Sequence, residues 1–142
     1  MARNCRFAVA VHVATVLAQH RDTPATSEWI ALSVNTNPVV VRRILSALAK
    51  AGVVKSQRGI AGGSSLAREP EAISLLDLYR AVDEQDAQAL HHQPPNPNCP
   101  VGAHIVPVLT EILAQAEAAK EKELAKLCVA DVLTAIHKRT AA

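Results

Sequence analysis

The 142-residue sequence predicts a mainly α chain with a small β-hairpin wing, a winged helix-turn-helix followed by a long C-terminal dimerisation helix. Three observations predict it. Asn37-Pro38 opens a helix a few residues after a short preceding helix ends, which is the spacing of a helix-turn-helix. A loop with three glycines, residues 57–63, separates two short strand-forming runs, as in a hairpin. Finally, Ile105, Leu109, Ile112, Ala116 and Ala119 recur at spacings of 4, 3, 4 and 3, a seam too narrow for a monomer's core.

Taken in order, a first helix spans about residues 3–19, where Phe7, Val11, Ala14 and Ala18 share helical spacing before the polar run 19–23. Thr26 or Ser27 caps a short second helix with Glu28 in its first turn and Ile30, Ala31 and Val34 on its buried side. The third helix runs from Pro38 to about Ala51, with Gly52 just past its end. Val40, Val41, Ile44, Leu45 and Leu48 form its apolar side. Val39, Arg42, Arg43, Ser46 and Lys50 form the other, so that one face carries three cations. Strands are expected at 53–56 and 64–67, and a fourth helix at Ser74, where Asp77 completes a capping box. Four prolines and two asparagines make residues 83–100 a loop. A long helix follows from Val101, with Pro107 placed to kink it, and then a short helix from Val129 to about His137. The domains so read are a DNA-binding unit at 1–83, a Pro/Asn-rich loop at 84–98, and a dimerisation helix with a terminal helix at 99–138.

Charge is divided along the chain. Residues 1–68 hold nine Lys/Arg against two acids, a net +7, whereas the remainder holds six against eleven, a net −5. The basic half suits a polyanion. Phe7, Trp29 and Tyr79 are the only aromatic residues, which argues against a stacking platform for single strands. Cys5, Cys99 and Cys128 are odd in number and far apart, unlike a secreted disulfide framework, so a cytoplasmic location is expected. The apolar run 7–18 is interrupted by His12 and Thr15 and lacks a cleavage site, and no run approaches a membrane span. His12 reads as a satisfied or partly exposed helix residue.

Within this frame the expected DNA contacts are Val39, Arg42, Arg43, Ser46, Lys50, Lys55, Arg58 and Gly59. Arg42 and Ser46 are best placed for base edges, since arginine pairs bidentately with guanine. Lys50 and Lys55 suit phosphates, and Arg58 beside Gly59 at the hairpin tip suits the minor groove or a phosphate. Ile105, Leu109, Ile112 and Ala116 are the expected dimer contacts. No HExxH, GxSxG, CxxC or P-loop pattern occurs and nothing sets a nucleophile beside a base, so no enzyme is expected. The rival to a DNA-binding regulator is a helical protein-interaction module.

These residues resemble the bacterial Rrf-two regulators, relatives of the iron-sulfur cluster regulator, the nitric-oxide-sensitive repressor and the cysteine metabolism repressor. The resemblance covers nearly the whole chain. It rests on the N-terminal helix, Asn37-Pro38-Val39-Val40-Val41-Arg42-Arg43-Ile44-Leu45, residues 48–54, Arg58-Gly59 with Gly62-Gly63, residues 73–82, and Cys99-Pro100-Val101-Gly102. It implies a homodimeric transcription regulator, a repressor, joined through the long helix. Such a dimer reads a pseudo-palindromic operator in double-stranded DNA, with the third helix in the major groove and the wing in the minor. The wing here reads Arg-Gly-Ile-Ala-Gly-Gly rather than the family's more usual Arg-Gly-Pro-Gly-Gly-Gly. Cluster-binding members carry three cysteines before the long helix, where this chain has Cys99 alone, so no cofactor is expected.

Three readings of Cys99 stay open. It stands before a helix N-terminus, which favours thiolate and hence a thiol or oxidant sensor. It also suits a structural position where the loop meets the helix, or an iron or zinc ligand together with His91, His92, His104 or Cys5 of a second chain. Cys128, on an apolar stretch near a helix junction, reads as core. The signal, a small molecule or an oxidant, is not encoded in any motif.

Overall fold

The computed structural model describes residues 5–82 and 90–141. The start of the predicted first helix at residues 3–4, and residues 83–89 of the predicted boundary and loop, lie outside the described residues. The chain divides into two compact units, Met1–Asp83 with Leu124–Ala142, and Glu84–Glu123.

In the first unit α1 (Arg6–Gln19) is the hub. It is packed upon by α2 (Ser27–Val34), α3 (Pro38–Lys50), α4 (Leu75–Val82), α6 (Val129–Thr140) and a strand, which is why it is apolar nearly all round. Its buried residues, Ala10, Val13, Ala14, Thr15, Leu17 and Ala18, are mostly small, and Phe7 and Val11 are only half-buried. Around them Ile30, Val41, Leu48, Ile73, Leu78 and Val129 complete the core.

Local chemistry sets the helix ends. Thr26 accepts from the Trp29 N–H at 3.2 Å, and Asn35 ends α2 in the left-handed region at φ 61°. Asn37 Oδ1 accepts from the Val39 N–H at 2.9 Å, with Pro38 as the first helical residue of α3. Gly52, at φ 76°, turns the chain so that the Val53 N–H returns to the Leu48 carbonyl at 2.9 Å. The buried stripe of α3 is Val41, Ile44, Leu45 and Leu48. Val40, expected on that side, is 37% exposed, because it lies about a quarter-turn round from the centre of the stripe.

Strands β1 (Val54–Gln57) and β2 (Gly63–Leu66) pair antiparallel in the register Val54↔Leu66 to Gln57↔Gly63. The expected spans were displaced by one residue, since Val53 is fully buried and its N–H is used in ending α3. A 3₁₀ turn, Pro70–Ala72, leads to α4, where Ser74 Oγ accepts from the Asp77 N–H and Asp77 Oδ2 from the Ser74 N–H.

The terminal segment belongs to this same unit. Leu75 donates to the Leu127 carbonyl and Val129 to the Ile73 carbonyl, both at 2.9 Å, so a short bridge sews the start of α4 to the start of α6. Cys128, expected in the core, is a half-buried helix cap whose N–H donates to Asp131 Oδ2 at 2.9 Å. That N–H holds the Asp131 carboxyl below its usual range.

The second unit holds loop residues 90–99 and nearly all of α5 (Pro100–Ala125), a continuous 26-residue helix with Pro107 inside it and no buried residue. Ile105 and Leu109 are half-buried, whereas Ile112 and Ala116 are exposed. Among the described residues no helix is long and apolar enough to cross a membrane.

Candidate nucleic-acid interface

The outer face of α3 follows from its periodicity. Once Val41, Ile44, Leu45 and Leu48 are committed to the core, Val39, Arg42, Arg43, Ser46 and Lys50 must point outward, and all five are exposed. The α2–α3 connection, residues 35–37, holds the two helices as the expected helix-turn-helix.

Beside this face the hairpin carries Lys55, Arg58 and Gly59, all exposed. Its tip depends on glycine. Gly59 has φ 107°, and a Cβ on Gly62 would stand 2.3 Å from the Gln57 carbonyl oxygen. Ile60, which sequence reasoning did not single out, is fully exposed at the tip. The hairpin is also anchored. Ala25 donates to the Ser64 carbonyl at 2.9 Å and Ser64 back to Ala25 at 2.8 Å, tying β2 to the residue just before the α2 cap. Gly63 makes this approach feasible, for a Cβ there would lie 2.6 Å from the Ala25 oxygen. No sequence signal marks the anchor, because Ala25 and Ser64 carry no distinctive spacing.

Electrostatics sort the cations of the basic half. Arg21 pairs with Glu69, and Arg68 lies 3.6 Å from Asp77. Arg42 Nη1 donates to Glu28 Oε1 at 3.1 Å across the α2–α3 turn. From the sequence Glu28 marks only the first turn of the second helix; the pairing needs the fold, since the partners are fourteen positions apart.

In the second unit the half-buried Cys99 precedes Pro100 at the start of α5. Its N–H donates to the Asn96 carbonyl at 3.2 Å, and its own carbonyl accepts from the Ala103 N–H at 2.8 Å. The backbone N–H groups of Gly102 and Val101, directed at the sulfur, hold its pKa below the ordinary thiol value. Gly102 permits this close packing, since a Cβ would lie 2.3 Å from the Asn96 oxygen.

Comparison with known proteins places this geometry. The Rrf2 family model, described as an iron-dependent transcriptional regulator, matches residues 3–135. The chain is 45% identical over 130 residues to YwnA of Bacillus subtilis (strain 168), named for an HTH-type transcriptional regulator, covering 92% of this chain and 96% of that one. It is also similar to a crystal structure titled as a DNA-binding protein, at 43% identity and TM-score 0.73, covering 90% of this chain and 98% of the other. T. potens IscR, at 24% identity, shares the fold with TM-score 0.75 over 100% of this chain and 93% of its own.

Proposed function

Since the chain belongs to the Rrf2 (Rrf-two) family of transcriptional regulators, we propose that it is a cytoplasmic, homodimeric repressor that reads a pseudo-palindromic operator in double-stranded DNA. The observation that carries this reading is the outward cationic face of α3 set beside a glycine-tipped hairpin. Arg42 and Ser46 address base edges in the major groove, with Val39 contributing apolar contact. Arg43, Lys50 and Lys55 neutralise phosphates, and Arg58 with Gly59 at the hairpin tip enters the minor groove or meets a phosphate. In the dimer the seam Ile105, Leu109, Ile112 and Ala116 is covered by the same helix of a second chain.

Cys99 is the proposed sensor, because the Gly102 and Val101 N–H groups favour its thiolate, the form that reacts with oxidants and electrophiles. The family description names iron. Among the described residues, however, no three of His, Cys, Asp and Glu come together as a metal-binding group.

The test begins with selection of an operator from a random duplex pool. Arg42→Ala then loses about 1–3 kcal/mol on that operator and little on unrelated DNA, whereas Lys50→Ala weakens both alike and lowers the salt dependence by about one phosphate contact. Equal losses for Arg42→Ala on both DNAs would remove the base-contact role. Salt-insensitive binding, or no binding to any duplex, would remove the DNA-binding reading itself.

A further inference from the structure

A cleft of about 700 Å³ opens within the first unit between α1, α2 and α6, on residues the DNA-binding reading does not use. Its size falls in the range of small-molecule sites, roughly 300–1,000 Å³. Apolar walls come from Val11 and Val16 on α1 and from Val132, Leu133 and Ile136 on α6. Two hydrogen-bonded pairs fix polar groups around it: His12 Nε2 lies 2.9 Å from Ser33 Oγ, joining α1 to α2, and His137 Nε2 lies 2.8 Å from Gln19 Oε1, joining α6 to α1.

Trp29 also lines the cleft and remains 44% exposed, although it is large and aromatic. The His20 ring meets it edge-on at 4.7 Å and 89°, which holds the indole as a stiff wall. No lining residue is Lys, Arg, Asp or Glu. A nucleotide or a polyphosphate would therefore meet no lysine or arginine on entering.

We propose that this cleft binds a planar aromatic molecule that carries one or two hydrogen-bonding groups and at most one negative charge. The ring lies against Trp29 and the aliphatic side chains of α1 and α6, and its polar group meets the histidine-centred pairs. Leu32, 80% exposed on α2, is outside the cleft lining. The site also bears on regulation, in a consequence that does rest on the DNA-binding reading. Trp29 and Ser33 share α2 with Glu28, which braces Arg42, so a molecule held in the cleft contacts the helix that supports the recognition helix.

Trp29 is the chain's only tryptophan, so its fluorescence reports on the cleft directly. The probe is 1-anilinonaphthalene-8-sulfonate, an aromatic monoanion, titrated into the full chain. Saturable binding at one molecule per chain with quenching of Trp29 by energy transfer is expected. Ser33→Phe, which fills the cleft from an exposed position, and Ile136→Asn, which makes its wall polar, each weaken binding at least tenfold. Leu32→Ser leaves binding unchanged, and melting by circular dichroism checks that all three variants fold. Non-saturable binding, equal affinity in Ser33→Phe and Ile136→Asn, or loss of binding in Leu32→Ser overturns the proposal. So does a change in oligomeric state on Ser33→Phe, which assigns the cleft to contact with a second copy. None of these results depends on DNA, so failure here and failure of the DNA-binding reading are separable.

Discussion

Arg42 and Glu28 form an ion pair of two largely exposed side chains, an interaction worth about 0–1 kcal/mol. On the proposed reading DNA displaces Glu28 at small cost, while in the free protein the carboxylate keeps the guanidinium oriented. Glu28→Gln removes a negative charge from beside the phosphates, and binding to any duplex should rise a few-fold at low salt, with reduced preference for the operator. Unchanged affinity across a salt titration would show that Glu28 stands clear of the DNA. The Cys99 pKa is lowered by backbone N–H groups, so thiolate persists to lower pH than in an ordinary thiol, and alkylation by iodoacetamide should persist with it. Gly102→Ala forces its Cβ against Asn96 and displaces those donors, so the alkylation profile, followed by mass spectrometry, moves to higher pH. A profile unmoved in Gly102→Ala would mean that the N–H groups do not set the thiol.

At the level of elements, strand β2 of the wing is held along both edges by different means. One edge carries the ordinary β1–β2 ladder, and the other the Ala25–Ser64 bridge to the residue before the α2 cap. Gly63 serves both, since it pairs with Gln57, takes φ 152° and lies against Ala25 where no Cβ fits. Gly63→Ala should cost about 1–3 kcal/mol from backbone strain, read as a lower urea midpoint. Hairpin contacts with DNA should weaken with it, while α3 keeps its own. A variant as stable as the parent would mean that the bridge yields without penalty.

For the whole molecule, the long helix raises the question of assembly. α5 has no buried residue, yet Ile105, Leu109, Ile112 and Ala116 line up along it. Such a stripe is stable in water only when covered, and the proposed cover is the same helix of a second chain. Ile112→Glu places a charge in that seam from an exposed position, so the chain should fold but sediment as a monomer and lose operator binding. A wild-type chain that sediments as a monomer at micromolar concentration would refute the dimer. The seam's later residues have another fate. Leu124 packs against the core of the first unit, while the Leu127 carbonyl accepts from the Leu75 N–H of α4 and its side chain stays exposed.

The sequence by itself determined whatever depends on neighbours within a turn or two. The Asn37-Pro38 start of α3, the Ser74–Asp77 box, the left-handed Gly52 and the outward set Val39, Arg42, Arg43, Ser46 and Lys50 follow from capping chemistry and a 3.6-residue period, and these act over four positions or fewer. Val40 and the strand limits departed from expectation by one position, because burial at an edge depends on what packs beside it. Only the tertiary structure decided which distant residues meet. Glu28 with Arg42, Ser64 with Ala25 and His137 with Gln19 are pairings of ordinary residues whose own spacing announces nothing. The cleft is of the same kind: His12 read as a satisfied helix residue and Trp29 as one aromatic among three, and they become walls of one site only because α1 packs between α2 and α6. Periodicity fixes which way a side chain faces, whereas a site with depth requires three helices to converge, and that is set by the sum of core contacts rather than by any local run of residues.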